Sequence, residues 1–352
     1  VSREDALKES KRVQFENQSI IGSISLKGAA IDDLTFKDYN TTLESNEKVI
    51  LLGPRNIEDG YLIESGFVSS DKNIDIPNSD SVWSVIGNNK LTDQSPVKLS
   101  WSNKQGITFE KEISLDDRYL FSIKQSVINS TNNKYDFYSY GQIIRNSIPE
   151  ISNFYILHEG LIATLDDELI EEDYDDIQEK KFSRTSQKGW LGIGDKYWIT
   201  SLIPPRNKEF KTTFDYKKKF RANFIATEPL ELEGNSKVEE ELQIIVAAKR
   251  VDIIDGYAQT LDIDKFDLVI DWGFLYFITK PLFFGIDYFF KLLGNYGLAI
   301  IAITICIRLV FFPLANFSFR SMAKMKALQP EMVRLKELHK DDKMKLQQEM
   351  MA

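Results

Sequence analysis

The residue most able to do chemistry in this sequence is a lone cation inside a long apolar run. Tyr296 to Ala315, YGLAIIAITICIRLVFFPLA, is twenty residues with one charge, Arg308. A guanidinium placed in hydrocarbon costs several kcal/mol, so such residues usually face a bundle interior or a water-filled recess, where they hold water and attract anions. Snorkelling of the long stem to nearby headgroups is the other use of an arginine at this depth, and both stay open. Thr304 lies one turn earlier on the same face, and Ala315 and Asn316 follow a turn or two later, giving the cation a thin polar stripe. Pro313 lacks an N–H, frees the carbonyl of Leu309 and is expected to kink the last turns. At about 1.5 Å per residue the run covers about 30 Å, the thickness of a bilayer core, so residues 294–317 are expected to form a transmembrane helix.

Other groupings suggest chemistry and do not sustain it. DDELIEEDYDDIQE, Asp166 to Glu179, has nine carboxylates in fourteen residues but lacks the glycine and ligand spacing of a calcium loop, and is expected to be a solvated loop. GWLGIGDKYW, Gly189 to Trp198, begins like a glycine-rich phosphate loop, yet Tyr197 stands where the last glycine belongs; a tight turn under a Trp190 and Trp198 core is expected. His158 beside Glu159 has the types of an acid/base pair, but the one other histidine, His339, lies far away in the C-terminal tail, so a structural histidine is expected. The one cysteine, Cys306, sits in the apolar run, which rules out an intrachain disulfide. No nucleophile elbow, paired CxxC or HExxH is present. The expectation is a non-enzyme with no metal and no cofactor.

The elements that position Arg308 come from both sides of it. DWGFLYFITKPLFFGIDYFFKLLGN, Asp271 to Asn295, carries Lys280, Asp287 and Lys291 on one narrow stripe, with Trp272, Tyr276 and Tyr288 as rings suited to headgroup depth. An interfacial amphipathic helix over 264–293 is expected, in preference to a second span paired with the first. After the run, Met322, Met325, Leu328, Met332, Leu335 and Leu338 recur at three- and four-residue steps, an adaptable seam in the first arm of a helical hairpin over 318–352 that turns at HKDD. Pro330 should bend that arm. Residues 318–352 hold eight basic and five acidic side chains, which marks them as cytoplasmic and the acidic bulk of the chain as outside.

Upstream, from about Gln18 to Asp262, apolar and polar residues alternate in short runs such as VKLSWSNKQGITFEKEISL and FRANFIAT, separated by turn residues at Asn103 to Gly106, Asn129 to Asn133, Pro204-Pro205 and Glu233 to Asn235. The fold class expected is mainly β, two packed sheets over 18–262. Residues 1–17 are expected to be a linker from a preceding span, and more chain is expected after Ala352, because neither end carries a signal peptide or a helix stop.

LKGAAIDDL, HEGLIATLDDEL, KGWLGIGDKYWITSLIPP, the WGFLYFITKPLF to FPLANF run and SMAKMKALQPEM with DDKMKLQQEMMA resemble the YidC family of bacterial membrane-protein insertases over nearly the whole chain. The resemblance implies a periplasmic β-supersandwich similar to sugar mutarotases, an interfacial helix, one transmembrane helix and a cytoplasmic helical hairpin, in the bacterial inner membrane as part of a multi-pass protein. It implies insertion and folding of nascent membrane-protein clients, alone or with the Sec translocon and its auxiliary subunits, the ribosome and membrane lipid as further partners, and no nucleotide or nucleic-acid binding. It also implies that Arg308 is the arginine of a hydrophilic groove open to cytoplasm and lipid, whose other walls belong to later spans. Two rivals are a membrane-tethered carbohydrate-binding ectodomain, which needs paired acid/base residues in a cleft, and a transmembrane sensor, which needs a downstream output domain.

Overall fold

Alternation of apolar and polar side chains decides most of the chain, because a strand turns successive residues to opposite faces. In Ile107–Leu115 the odd positions are buried and the even ones are not, and Phe220–Ala226 repeats the pattern. The structure, a computed structural model, describes residues 1–149 and 157–338. It divides into two compact units, Val1–Asp271 and Trp272–Ala352.

The first unit contains twenty strands among the described residues: β1 (Arg12–Glu16), β2 (Ile20–Ser25), β3 (Ala30–Asn40), β4 (Lys48–Leu52), β5 (Tyr61–Ser69), β6 (Ser84–Ile86), β7 (Lys90–Leu91), β8 (Val97–Ser102), β9 (Ile107–Leu115) and β10 (Leu120–Asn129). There follow β11 (Tyr135–Arg145), β12 (Gly160–Leu165), β13 (Glu168–Asp173), β14 (Phe182–Ser186), β15 (Gly189–Gly194), β16 (Trp198–Ile203), β17 (Phe210–Tyr216), β18 (Phe220–Ala226), β19 (Leu230–Leu232) and β20 (Lys237–Ala248). One sheet of eleven strands runs β14-β17-β18-β11-β5-β3-β2-β1-β7, with β19 on β11 and β4 on β3; the other, of nine, runs β13-β12-β15-β16-β20-β10-β9-β8-β6. All pairings are antiparallel except β1 with β7. The mainly β, two-sheet architecture read from the alternation is what forms.

The core between the sheets is aromatic. Phe15 meets Phe121 edge-on at 5.2 Å, Phe36 stacks on Trp198 at 4.6 Å, and Phe109 meets Phe137 at 5.6 Å. Such pairs add about 0.5–1.5 kcal/mol to what burial contributes. Among the described residues three short helices complete the unit, α1 (Arg3–Lys8), α2 (Tyr174–Glu179) and α3 (Val251–Thr260), with a 3₁₀ turn at Phe266–Val269.

Two boundaries differ from expectation. Residues 1–17 are not a linker: Arg12–Glu16 pairs with β2, Phe15 is fully buried, and Ala6 of α1 is buried as well. The polar look of this stretch hid two inward side chains, Val13 and Phe15, on one strand parity. At the other end, Phe266 and Val269 pack into the β core, and the next helix, α4, begins only at Tyr276.

The second unit is α4 (Tyr276–Leu293) and α5 (Tyr296–Leu338). Gly294 closes α4 in the left-handed region (φ 67°), its N–H donating to the Phe290 carbonyl at 2.7 Å. Asn295 opens α5 by accepting the Leu298 N–H at 3.1 Å. Glycine after a helix and asparagine before one are the residues these positions favour, so a two-residue link suffices. Pro313 and Pro330 both lie inside α5, which continues unbroken through the expected boundary at 317. The second arm of the expected hairpin, with His339, lies outside the described residues.

Candidate functional site

α5 is the one described helix long and apolar enough to cross a membrane, with a mean hydropathy of 2.5 over its most apolar window. Its apolar side chains point outward: Leu309, Val310, Phe311 and Phe312 are all exposed. Arg308 stands among them, exposed, with no ion pair to any described residue. Thr304 is exposed too, but its hydroxyl donates to the Ile300 carbonyl at 2.7 Å. The expected polar stripe therefore holds one free cation and one hydroxyl whose proton is already committed to the helix, leaving acceptor capacity only.

α4 is fitted to α5 by a gap and a stack. A Cβ built on Gly285 would stand 2.8 Å from Ile303 Cδ1, so the missing side chain is what admits Ile303. Phe290 stacks on Tyr296 with centroids 3.8 Å apart, and Ala299 is fully buried. Gly285 and Ile303 each lie about 10 Å or more along their helices from the link. Contact at that depth means that α4 folds back beside α5.

Several of the residues expected at the membrane interface have partners close by. Lys291 Nζ lies 2.6 Å from Asp287 Oδ2, an i,i+4 pair. Lys280 Nζ lies 5.7 Å from the Trp272 ring centroid, and Trp272 meets Phe283 edge-on at 5.6 Å, so the tryptophan packs back on the first turns of the helix. Tyr276 and Tyr288 are exposed. Met322, Met325, Leu328 and Met332 of the expected seam are exposed along α5, and Leu335 and Leu338 continue the same helix.

In the β unit the chemistry-like groupings are structural. Asp166 and Asp167 form a two-residue hairpin turn with φ of 49° and 69°, and the carboxylates around them pair with neighbouring cations, Asp167 with Lys188 at 2.9 Å and Glu168 with Arg184 at 2.6 Å. The acidic run is thus a turn, strand β13 and helix α2 rather than a loop. Among the described residues no group of three or more His, Cys, Asp or Glu side chains is arranged to hold a metal. GWLGIG is strand β15 itself, not a turn. A Cβ on Gly189 would lie 1.9 Å from the Thr164 carbonyl oxygen, so close packing of neighbouring strands explains its glycine, and the turn falls at Asp195 to Tyr197. His158 engages both ring nitrogens, with Asp173 Oδ1 at 3.1 Å and the Leu161 carbonyl at 3.2 Å. Glu159 instead accepts the Lys196 N–H at 2.8 Å.

Sequence reading missed the charges inside this unit. Arg145 and Asp195, fifty residues apart, pair at 2.6 Å, with the guanidinium 4.5 Å from the Tyr61 ring. Arg12 pairs with buried Asp32. Lys111 is buried on the same parity of β9 as Phe109 and Ile113. That parity is a signal legible in ITFEKEISL; the other two pairs leave none, since their partners come from distant strands.

Residues 12–284 match the family model described as the YidC periplasmic domain, and residues 288–352 match that described as 60Kd inner membrane protein. The membrane protein insertase YidC of Pelagibacter ubique is 73% identical over 352 residues, covering 100% of this chain and 63% of that protein. The protein of the same name from Mesorhizobium japonicum is 41% identical over 357 residues, covering 99% and 59%, and that from Rickettsia rickettsii is 40% identical over 350 residues, covering 97% and 62%. The chain thus spans roughly three fifths of the curated relatives it matches. Among solved structures, a galactose mutarotase related enzyme from Lactobacillus acidophilus aligns with a TM-score of 0.49 at 10% identity, covering 67% of this chain and 97% of that one. With one family model matched across most of its length and a second across the rest, the chain belongs to the YidC family of membrane protein insertases.

Proposed function

We propose that this chain supplies the outer domain and one wall of the groove of an inner-membrane insertase, a multi-pass protein that lowers the barrier for nascent membrane proteins to enter lipid. The observation that carries the reading is Arg308, a cation with no carboxylate partner among the described residues in the middle of an outward-facing apolar helix. Moving a polar segment into hydrocarbon is limited by desolvation of its backbone and charges. A wet, cationic recess within the inner leaflet reduces that desolvation and attracts acidic residues of the incoming segment. Apolar segments remain free to slide sideways into lipid. Thr304 offers an acceptor one turn away in the same recess.

α4 serves in this reading as the lipid-surface element, with Trp272, Tyr276, Lys280, Tyr288 and Lys291 at headgroup depth beside the first turns of the span. Residues 1–271 lie in the periplasm and the end of α5 in the cytoplasm, where Met322, Met325, Leu328, Met332, Leu335 and Leu338 form a seam for clients or partner helices. The Sec translocon, its auxiliary subunits and the ribosome are partners by family resemblance. No reaction is catalysed and no cofactor is used.

The test is insertion of a client with an acidic translocated tail by the complete protein. Arg308→Ala is expected to slow insertion roughly tenfold, the size of one partly screened charge pair, with Arg308→Lys retaining most of it and a client with a neutral tail affected less. Undiminished insertion of the acidic client by Arg308→Ala would overturn the attraction.

A further inference from the structure

The two ends of the β sandwich are built from different residues. At one end lie the turns 103–106, 130–134 and 233–236, which close β8 to β9, β10 to β11 and β19 to β20. The registers Asn129 to Ile107 and Ile128 to Lys237 bring these turns together. Their sequences, NKQG, STNNK and EGNS, are polar throughout.

The other end shows apolar side chains to solvent. β11 stops there at Arg145, opposite the first residue of β5, Tyr61, and the first of β18, Phe220. Tyr216, beside the turn from β17 to β18, is exposed, and so is Ile148, just beyond Arg145. β3 runs antiparallel to β5 and meets it at Ile31 to Ile63, so its second half passes the start of β5 and pairs with β4 instead. That projecting hairpin carries Ile50, exposed, and in its loop Leu43, whose side chain is fully exposed. From the second sheet the turn at Asp195 to Tyr197 joins them through the pair of Arg145 with Asp195, and Tyr197 is 60% exposed. Exposed charges of both signs, Glu44, Glu47, Lys48 and Lys217, stand among these side chains. The chain also leaves the β unit from this end. Gly160 pairs with Gly194, beside Asp195, and His158 just before it donates its backbone N–H to Asp271 Oδ2 at 3.2 Å. Only residues 272–275 separate Asp271 from α4.

We infer that this end of the β unit rests in the headgroup layer of the bilayer, with the hairpin of β3 and β4 as the inserted element and Leu43 as its anchor. Large apolar side chains gathered on one surface mark a place of contact. A ligand in a single pocket does not account for the set: Ile50, Ile148 and Tyr197 rim one open hollow, while Leu43 and Tyr216 lie outside it. A lipid surface does. Apolar tips and tyrosines among charges of both signs are what the interface takes up, and its headgroup layer is several ångströms deep, enough to follow an uneven end. The chain's own span keeps that surface within reach at all times, so each contact needs little affinity of its own. The inference rests on the placement of α5 in a membrane, as in the proposed function, and not on insertion of clients.

The full chain, reconstituted in lipid nanodiscs, tests it by quenching from lipid. A Cys306→Ser chain with Leu43→Cys, labelled with an environment-sensitive NBD fluorophore, is compared with one labelled at Lys104→Cys in the polar end, with and without a nitroxide on the lipid headgroup. The label at Leu43→Cys should emit at shorter wavelength and lose emission to the nitroxide, and the label at Lys104→Cys should do neither. Adding Leu43→Asp to a chain labelled at Tyr197→Cys should reduce the loss of emission there. NBD placed on the native Cys306 in detergent before reconstitution, and read against a nitroxide deep in the acyl chain, reports separately whether α5 lies in the bilayer. With Cys306 quenched, no loss at Leu43→Cys, or an equal loss at Leu43→Cys and Lys104→Cys, would overturn the inference and leave this end to a protein partner; an unchanged loss at Tyr197→Cys on adding Leu43→Asp would overturn Leu43 as the anchor. An unquenched Cys306 would overturn the membrane placement of α5 and this inference with it.

Discussion

Phenylalanine is treated oppositely in the two units. In Val1–Asp271, Phe15, Phe36, Phe121, Phe137 and Phe214 are 0% exposed; in the second unit Phe274, Phe311, Phe312 and Phe317 expose 90%, 57%, 64% and 70%. The β unit buries its own apolar surface between two sheets, and its polar face already meets water. α4 and α5 bury little beyond Ala299, so the apolar area that would stabilise them is left for lipid or for other helices to cover. Charges differ in the same sense. The β unit pairs its buried arginines internally, Arg145 with Asp195 and Arg12 with Asp32, whereas Arg308 of α5 has no ion pair among the described residues. One unit is a self-sufficient fold and the other is half of an interface.

The comparison is open to attack at several points. The largest effect should come from Trp190→Ala, which removes a fully buried ring packed edge-on against Phe266 at 5.2 Å. A loss of about 3–5 kcal/mol is expected in urea unfolding followed by tryptophan fluorescence, which reports mainly the β unit because four of the five tryptophans lie there. Helicity of α4 and α5 in the same sample should persist; its loss with the β signal would mean that the units do not stand alone.

Next in size is the pH dependence of Lys111. Its pKa falls from 10.5 unfolded to about 8 folded, so between these values the unfolded chain binds more protons and stability rises with pH. The penalty is fully present below pH 8 and fades toward 10.5. At fixed salt, the stability of wild type relative to Lys111→Met is expected to improve by about 2–3 kcal/mol between pH 7 and 10. A flat difference would place the ammonium in contact with solvent and remove it from the core.

Smaller again is Gly285→Leu. The new side chain must displace Ile303, at a cost of about 1–3 kcal/mol, and amide exchange across α4 in micelles should rise while the β unit is unchanged. Unchanged exchange would break the hairpin contact. The smallest effect concerns Cys306, exposed on α5. If lipid covers that exposed surface, a water-soluble maleimide should label Cys306 slowly in bilayers and readily after denaturation, because the thiolate that reacts needs water. Equal labelling in both would mean that this side of the helix is wet.

Much of this was legible in advance for physical reasons. Alternation located β9, β10, β18 and β20 because the side-chain period of a strand is written directly in the sequence. The span and its cation needed only length, hydropathy and one charge. Residues 12–16 escaped because five residues with two buried side chains give too short a pattern to stand out from a polar leader. GWLGIG was misread as a turn because glycine marks both a reversal and a place where another backbone comes close, and only the Thr164 carbonyl distinguishes them.

By itself, then, the sequence determined the class of the large domain, the place of Arg308 within the long apolar run and the family to which the chain belongs. These follow from local periodicity, composition and motifs carried on contiguous residues. Tertiary structure alone decided that Arg145 meets Asp195 across fifty residues, that Gly285 opens a seat for Ile303, and that Lys111, Trp83, Ser65 and Gln125 surround one small cavity. Those facts depend on which distant strands become neighbours and how closely they pack, and no spacing along the chain encodes a distance between two sheets.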